Sequence, residues 1–379
     1  MRELGLFFKM ALRKVSAPLW IIFFLACLVG ITAWLHDTDN IKQGIAGLII
    51  PGERYADGWY GANFDAAVRA CDSMGFDLRT KDAVGEKEED LFAACDELLR
   101  MGARLIVLTG PDDPEKFYPY MRNHPYVQFS GFDLSISSPN YHPVFFRIYQ
   151  ARYLAGVLAG LMSRSHMLGF VAARPDPEVV RGINAFALGA QSVRPQTKVL
   201  VKWTGHWSDE KAEEQAVFDL KKAHADVISY HQHEEYVPRT AERLKINFIG
   251  MSMMLTGYSS RALTSVLCDW ETYYRLLLRS LRDQSYVPPL WAGIDSGAVG
   301  LAPFSSRVPQ SVRKKVNEVK ADLISGKKRV FAGMIKDNQG MRHDFANGLD
   351  ENSQALLRMN YLVEGVETLH GRSEEPATR

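Results

Sequence analysis

Residues 142–173 read HPVFFRIYQARYLAGVLAGLMSRSHMLGFVAA, and this stretch divides the chain into two similar halves. The apolar run at its start has the pattern of a buried strand, and a long apolar segment with a helical period follows. A second buried-strand pattern, MLGFVAA, closes the stretch. On both sides of it, short apolar runs alternate with amphipathic helical segments. The stretch therefore predicts a strand that ends one α/β unit and a helix that leads into the next.

The repeated strand–helix order in each half predicts a parallel sheet with helices on both faces. In the first half, the buried-strand patterns are GIAGLIIP (44–51), DLRTKDA (77–83), RLIVLTG (104–110) and VQFSGFD (127–133). In the second half, they are MLGFVAA (167–173), TKVLVKWT (197–204), DVISYH (226–231) and INFIGM (246–251). Segments with a helical period separate these runs. The expected fold class is α/β, with two lobes of similar plan.

The last third of the chain predicts a hinge between the lobes. After the last full repeat come a helix (271–283), a Gly-rich pair of short strands (within 291–303), a second helix (311–326) and a polar tail. We expect the chain to cross between the lobes near residues 140–150, 260–270 and 295–335. The expected first lobe covers about 44–147 and a return over about 290–366, and the second lobe covers about 150–285. Several crossings would form a hinge with a cleft between the lobes.

The composition excludes some classes of function. Of the 379 residues, 46% are hydrophobic and 23% are charged, and the formal net charge is +1. These values are typical of a globular protein and do not favour a nucleic-acid-binding surface. The chain has no Walker A motif, no GxGxxG that opens a helix after a strand, and no GxSxG. The sequence therefore indicates neither a catalytic residue nor a cofactor, and we expect a protein that is not an enzyme.

The N-terminal residues 1–36 have the pattern of a basic cytoplasmic tail and a membrane segment. Basic residues precede the 18-residue apolar run PLWIIFFLACLVGITAWL (18–35), and no Lys or Arg follows it until Lys42. This asymmetry favours a cytoplasmic N-terminus and an extracytoplasmic remainder, although the run is near the lower limit for spanning a bilayer. We expect one N-terminal transmembrane helix and a linker over 37–43. A cleaved signal peptide and a lipoprotein processed at Cys27 are the open alternatives.

The segment HQHEE (231–235) is the best candidate for a metal site. His231 and His233 would share one face at the end of a strand, which suits chelation. No third ligand on another element can be identified from the sequence. Polar lining of a cleft or a position on the surface is therefore the preferred interpretation, and we expect no metal.

Large aromatic residues lie at the ends of predicted strands or near the expected crossings. They are Trp59 and Tyr60 after the first strand, Trp203 and Trp207 after the second strand of lobe 2, and Trp270 and Trp291 near the crossings. Open α/β sheets bind ligands outside the carboxyl ends of their strands, where aromatic residues from both lobes can hold a flat ring. Core packing is the alternative for each tryptophan.

The two tryptophans of KWTGHWSD (202–209) are expected to differ. Trp203 continues a strand and should pack in the core. Trp207 follows Gly205, which gives the loop its bend, and precedes Ser208 and Asp209, one of which should cap the next helix. The sequence therefore predicts that Trp207 forms one wall of a ring-binding cleft.

Several stretches together carry a family resemblance. They are ADGWYGANFDAA (56–67), FFRIYQARYLAGVLAGLMSRSHMLGFVAA (145–173), PDPEVVRGINAFALGAQSVRP (175–195), KWTGHWSD (202–209), CDWETYY (268–274), AGMIKDNQG (332–340) and YLVEGV (361–366). In this order they resemble the basic membrane lipoprotein family, also called purine nucleoside receptor A-like, of bacterial ABC-transporter substrate-binding proteins. The resemblance covers about residues 44–366, which is most of the expected domain of residues 44–379.

The resemblance implies a type I periplasmic-binding-protein-like fold, in which two α/β lobes close on a purine nucleoside or base stacked between two aromatic rings. By position, Trp59 and Trp207 match the two stacking residues of the family, and Asp57 matches an acidic position two residues before the first. Asp133 ends the fourth strand, where the family often has a polar contact to the ligand. The resemblance thus places the expected site at the strand ends of both lobes.

Some positions depart from the family pattern. Tyr60 replaces the family's Asn, and GMSMM (250–254) lacks an Asp that often follows Ile-Gly. HQHEEYVP (231–238) is bulkier and more acidic than the usual small polar run. Tyr60, His231 and Trp270 complete the expected ligand-binding residues. The stacking platform is kept while the hydrogen-bonding edge differs, so the ligand need not be a common nucleoside.

The resemblance implies an extracytoplasmic, periplasmic-side solute-binding protein at the bacterial cell membrane. It would deliver a purine-like small molecule to an ABC permease and its ATPase, without a cofactor or nucleic acid. The alternative is a membrane-tethered ligand sensor of the same fold that signals to a membrane partner, which an uncleaved anchor would favour. An enzyme that acts on nucleosides is the least favoured class.

Overall fold

The computed structural model describes residues 43–55, 58–85, 87–110, 114–132, 138–255, 259–285, 290–346, 348–349 and 353–370. The predicted membrane segment, the linker up to residue 42, and the candidates Asp57 and Asp133 lie outside these ranges. None of the helices within them is long and apolar enough to span a bilayer.

The strands are β1 (Ile45–Ile49), β2 (Asp77–Lys81), β3 (Ala103–Leu108), β4 (Gln128–Gly131), β5 (Tyr141–Phe146), β6 (Met167–Ala172), β7 (Lys198–Trp203), β8 (Val227–His231), β9 (Asn247–Met251), β10 (Ala262–Cys268), β11 (Leu290–Ala292), β12 (Val299–Leu301), β13 (Gly333–Lys336), β14 (Arg342–Phe345) and β15 (Val366–Thr368). The helices are α1 (Trp59–Met74), α2 (Glu88–Arg100), α3 (Pro114–Asn123), α4 (Ile148–Met162), α5 (Pro177–Gln191), α6 (Glu210–Lys222), α7 (Tyr236–Arg243), α8 (Trp270–Asp283), α9 (Gln310–Ile324) and α10 (Gln354–Leu357).

The first lobe is built on a parallel sheet with the strand order β11-β5-β4-β3-β1-β2. Successive side chains along a strand point to opposite faces. In β1, Leu48 therefore packs in the core on the α1 side, whereas Ile49 packs with Leu98 of α2 on the other side. Burial on both faces explains why these strands appear in the sequence as continuous apolar runs.

The second lobe is built on a sheet with the strand order β12-β10-β9-β8-β6-β7-β15. Its pairs are parallel except for β10 with β12, which are antiparallel. The helix of the opening stretch, α4, is buried along its length from Ile148 to Gly160. Burial on all sides favours apolar residues, which make up most of this helix, and its buried Arg152 donates hydrogen bonds to Ser229 and to the backbone oxygen of Tyr230 in β8. The predicted two-lobed α/β fold is confirmed.

The chain crosses between the lobes at the ends of three strands. After β5 it enters α4, which packs against α5 in the second lobe. After β10 it returns to the first lobe through α8 and β11, and after β11 it enters β12 of the second sheet. The carboxyl ends of β5 and β10 therefore lie at the junction of the two lobes.

The lobe boundaries differ from the expected division in two places. Helix α8 was expected in the second lobe, but Tyr274 donates a hydrogen bond to Asn63 of α1 (3.1 Å) and Arg69 pairs with Glu271 (2.9 Å). Beyond β11, the expected return to the first lobe is wrong, because β12 and β15 pair with β10 and β7 of the second sheet. Strands of three residues carry too little pattern to reveal their partners.

The expected polar tail contains a β-hairpin formed by β13 and β14. Asp337 shapes its turn by accepting hydrogen bonds from the backbone N–H groups of Gln339 (2.9 Å) and Met341 (2.8 Å). The ring of His343 donates to the other carboxylate oxygen of Asp337 (3.0 Å) and stacks on Tyr361. The hairpin is thus fixed by polar contacts, so the sequence of this segment has no apolar strand pattern that would predict it.

Candidate functional site

The first wall of the candidate site is formed where α1 begins. Trp59 is the first residue of α1 and is only 9% exposed. Its indole Nε1 donates a hydrogen bond to the backbone oxygen of Thr109, which follows β3 (2.8 Å). Its ring makes edge contacts with Phe132 and with Trp270, at centroid distances of 5.2 and 4.8 Å. Trp59 therefore belongs to the core of the first lobe and lies at the strand ends as well.

Trp270 extends this wall from the crossing after β10. The Asp269 side chain caps α8 by accepting a hydrogen bond from the backbone N–H of Thr272 (3.1 Å), which fixes where the helix begins. The indole of Trp270 is buried and contacts the rings of Phe132 and Phe146 edge-on. The crossing segment thereby contributes an aromatic side chain to the junction of the lobes.

The second wall is formed by the loop after β7. Gly205 has a φ of +83°, a conformation that glycine adopts without strain, so the predicted bend is present. Asp209, one of the two expected residues, caps α6 by accepting from the backbone N–H of Ala212 (3.0 Å). Trp207, between these two positions, is half-buried, and the guanidinium of Arg174 lies over its ring at 5.5 Å.

Trp203 packs against the core, as expected, although it is only half-buried. Its indole Nε1 donates to the hydroxyl of Thr368 (3.3 Å) in β15, the edge strand of the second sheet. The edge position leaves part of the ring exposed. The two tryptophans of KWTGHWSD nevertheless differ in the expected sense, because only Trp207 contacts the residues at the junction of the lobes.

The imidazole ring of His233 bridges the two walls. It stacks on Trp207 with a centroid distance of 4.8 Å and an interplanar angle of 12°. It is also nearly parallel to Trp59, with a centroid distance of 5.9 Å and an angle of 15°. We call the space that this ring fills, beside Trp59 and Trp207, the aromatic slot. A ring in the aromatic slot stacks with one tryptophan from each lobe.

Hydrogen bonds around His233 join the lobes. Its backbone N–H donates to the backbone oxygen of Trp207 (2.9 Å), and its backbone oxygen accepts from the N–H of Trp59 (3.0 Å). Its ring Nδ1 is 2.8 Å from the hydroxyl of Tyr60. A Cβ at Gly58 would lie 2.2 Å from the His233 oxygen, and the φ of Gly58 is +101°, so only glycine permits this approach.

Both histidines of HQHEE are buried and neutral. Burial, with a smaller contribution from Arg174, lowers the pKa of His233 to about 3. Burial also lowers the pKa of His231 well below its usual value, and Arg152, His233 and Arg181 add to the effect. Both rings are therefore uncharged at neutral pH, as stacking in an apolar site requires.

Three buried ring nitrogens at the junction have no hydrogen-bond partner within the described ranges: Nε1 of Trp207, Nε1 of Trp270 and Nδ1 of His231. Buried polar atoms in proteins are normally paired, because an unpaired one loses its hydration without compensation. These atoms can form hydrogen bonds with a polar molecule that enters the cleft. The site therefore combines apolar ring faces with a few polar atoms, as is typical of small-molecule sites.

The neutral state of His233 makes the stability of the protein depend on pH. The unfolded chain takes up a proton on this residue below about pH 6.5, whereas the folded protein does not until about pH 3, so acid favours unfolding in this window. Between about pH 7.5 and 5, the free energy of unfolding should fall by about 2 kcal/mol more in the wild type than in His233→Phe.

Urea denaturation of both proteins at the two pH values measures this difference. Glu213, whose pKa burial raises to about 8, acts in the opposite direction, but it is present in both proteins and cancels. Equal pH dependence of the two proteins would show that the His233 ring is not held neutral.

The structure brings most of the predicted site residues together. Trp59, Tyr60, Trp207, His231 and Trp270 all lie at the junction of the lobes, and His231 contacts Trp207 edge-on at 5.8 Å. Asp57 and Asp133 are outside the described residues and stay predictions. Trp291 is placed elsewhere, since it stacks on Phe145 at 4.2 Å in the edge strand of the first sheet.

Sequence reasoning missed the role of His233 and the contacts of Phe132 and Arg174. It considered His233 as a metal ligand or as polar lining of a cleft, not as a ring that stacks beside two tryptophans, and the described residues contain no group of three His, Cys, Asp or Glu side chains that could hold a metal ion. The sequence suggests that His231 and His233 share one face, but His233 lies beyond β8, where the alternation of side chains along a strand no longer applies. The one sequence feature that could have indicated this role is that HQHEE is bulkier than the corresponding segment of the resembled family.

Comparisons with known proteins agree with this architecture. A model of the PnrA-like family of ABC transporter substrate-binding proteins matches residues 44–330. A purine-binding protein of Brucella abortus (strain 2308) is 30% identical over 338 residues, which cover 88% of this chain and 94% of the relative. A protein of Haloferax volcanii, named for glucose binding in an ABC transporter, is 31% identical over 224 residues, 58% of this chain and 54% of that protein.

Among solved structures, a solute-binding protein of an ABC transporter system from Aeropyrum pernix K1 has the same fold. The TM-score is 0.65 at 16% identity, over 77% of this chain and 92% of the other. This resemblance shows the shared fold, and the family model with the Brucella relative confirms the family expected from the sequence. The chain belongs to the PnrA-like family of ABC transporter substrate-binding proteins.

Proposed function

We propose that this protein captures a purine base or nucleoside in the cleft between its lobes and delivers it to an ABC permease and its ATPase. The ring of the solute lies in the aromatic slot, against Trp207 on one side and Trp59 on the other. Ring nitrogens of Trp207, Trp270 and His231 supply hydrogen bonds. The protein binds its solute and does not convert it.

The stacking of His233 in the aromatic slot is the observation that carries this proposal. The slot already holds a flat heteroaromatic ring at an angle of 12° to one indole and 15° to the other. A purine is an imidazole ring fused to a pyrimidine ring, so its five-membered half has the shape and ring chemistry of this side chain. The purine-binding relative from Brucella abortus supports the same ligand class.

We propose that the domain is held at the membrane on its extracytoplasmic side. The apolar run 18–35, with basic residues before it, supports this position. A tethered receptor remains close to a permease in the same membrane. This arrangement suits the capture of scarce solutes.

Calorimetric titration of the domain after residue 37 tests the ligand class. Adenosine, guanosine and adenine should bind, whereas glucose, which has no aromatic face, should not. Refolding the protein from denaturant before the titration removes solutes that co-purify with it. Binding of glucose without any purine would overturn the proposal, as would the absence of binding by every heteroaromatic probe.

A further inference from the structure

We propose that the His233 side chain is a built-in occupant of the aromatic slot, which an incoming solute ring must displace. The identity of that solute as a purine rests on the function proposed above. The presence of the occupant rests on the geometry alone. In this view, the protein carries its own competitor for the ligand.

The first step of the argument is the place of the ring. His233 follows β8 of the second lobe, yet its imidazole stacks with Trp207 of its own lobe and lies parallel to Trp59 of the other. A residue that only filled the core of one lobe would not align with indoles from both. The imidazole therefore reproduces the contacts that an aromatic solute would make.

The second step is how the residue is attached. Its backbone is fixed on both sides, by hydrogen bonds to Trp207 (2.9 Å) and from Trp59 (3.0 Å). Among the described residues, the ring itself forms a hydrogen bond with one side chain, between Nδ1 and the Tyr60 hydroxyl (2.8 Å), in addition to its stacking. Rotation about the side-chain bonds can therefore remove the ring from the slot while the backbone of the loop stays in place.

The third step is the space next to the slot. A cavity of about 550 Å³ opens at the junction of the lobes, and Met253 and Trp270 are among its lining residues. The Met253 sulfur is 2.7 Å from the backbone nitrogen of Gly58, directly before Trp59, and Trp270 contacts Trp59 edge-on. The cavity therefore borders the first wall of the slot, although Trp59, Trp207 and His233 are not among its lining residues.

An internal occupant lowers the measured affinity of every solute that binds in the slot. The affinity that is measured for a solute is the intrinsic affinity reduced by the fraction of molecules whose slot is free. Solutes with large aromatic faces can outcompete the imidazole, whereas small or non-aromatic solutes cannot. His233 would therefore act as a specificity-determining residue of the cleft.

Two substitutions of His233 distinguish an effect of emptying the slot from an effect of replacing the histidine. His233→Ala empties the slot and keeps the backbone hydrogen bonds, and His233→Phe keeps a ring in it. Titration with adenosine should show about tenfold tighter binding for the alanine variant than for the wild type, and no gain for the phenylalanine variant. The exposed His206, in the loop that carries Trp207, provides the matched control, and His206→Ala should bind like the wild type.

A second measurement does not depend on purines. Free imidazole should bind to His233→Ala at about millimolar concentration and change its tryptophan fluorescence, because it refills the space of the missing ring. The wild type and His233→Phe, whose slots are filled, should not respond. Tyr60→Phe, which removes the hydrogen bond to the ring, should give a smaller gain in adenosine affinity and serves if the alanine variant does not fold.

The outcomes distinguish this inference from the proposed function. If the alanine variant gains no affinity and takes up no imidazole, His233 is a fixed structural residue and the inference is wrong. If imidazole binds to the alanine variant while neither the wild type nor any variant binds a purine, His233 does occupy the slot and the assignment of a purine as the solute is wrong. If the wild type binds adenosine but neither variant shows the expected change, the function stands without a displaceable occupant.

Discussion

Replacing Trp207 with alanine should weaken the binding of adenosine by about ten- to a hundredfold and leave the fold largely intact. Stacking of a base on an aromatic side chain is worth roughly 1–3 kcal/mol by alanine substitution, and each 1.4 kcal/mol is about tenfold in affinity. The side chain lies half-buried in a loop beyond Gly205, so that its removal opens no enclosed core cavity. Calorimetric titration and thermal melting of the purified variant measure the two effects.

The end of β7, directly before this loop, offers the matched control for this prediction. Trp203 is also half-buried, but its indole contacts Thr368 at the edge of the second sheet and not His233. Trp203→Ala should therefore lower the melting temperature and leave the affinity unchanged, whereas Trp207→Phe should lose less affinity than Trp207→Ala. If Trp203→Ala abolishes binding in a stable protein and Trp207→Ala does not, the aromatic slot has been assigned to the wrong tryptophan.

Replacing Trp59 with alanine should have the largest effect on folding. Truncation of a buried tryptophan typically costs about 3–5 kcal/mol, because it removes apolar contacts and leaves a cavity. Trp59 is 9% exposed, contacts Phe132 and Trp270 edge-on, and donates a hydrogen bond to the oxygen of Thr109. The substitution would leave that oxygen without its partner as well.

Urea denaturation of Trp59→Ala and Trp59→Phe measures this cost. The phenylalanine variant keeps a ring against Phe132 and Trp270 and loses the hydrogen bond to Thr109, so its free energy of unfolding should fall by less than that of the alanine variant. A loss below about 1 kcal/mol for Trp59→Ala would mean that this side chain is a removable wall of the cleft, not part of the core.

The two walls of the slot therefore differ, although the sequence suggested that they were alike. Trp59 and Trp207 both follow a strand and a glycine, and the sequence suggests the same role for both, as stacking walls of the cleft. Trp59 begins a helix whose first turn is covered by the crossing segment at Trp270, whereas Trp207 remains in a loop. The burial of Trp59 depends on a segment far away in the chain, so no local pattern could report it.

The sequence by itself determined the alternation of strands and helices, the two-lobed α/β fold and the aromatic residues at the strand ends. It also determined the bend at Gly205 and a helix cap at Ser208 or Asp209, of which the structure has Asp209. These features depend on the periodicity of apolar residues and on the conformational preferences of single residues, both of which act over a few positions in the chain.

Only the tertiary structure decided which lobe α8, β12 and β15 join, how deeply Trp59 is buried, and which ring lies in the aromatic slot. Each of these depends on contacts between segments that are distant in sequence, such as the hydrogen bond from Trp59 to His233. The physical reason is that edge pairing, burial and stacking are satisfied by whichever partner the folded chain brings within reach. A local pattern shows that a residue can make such a contact but not which partner it will meet.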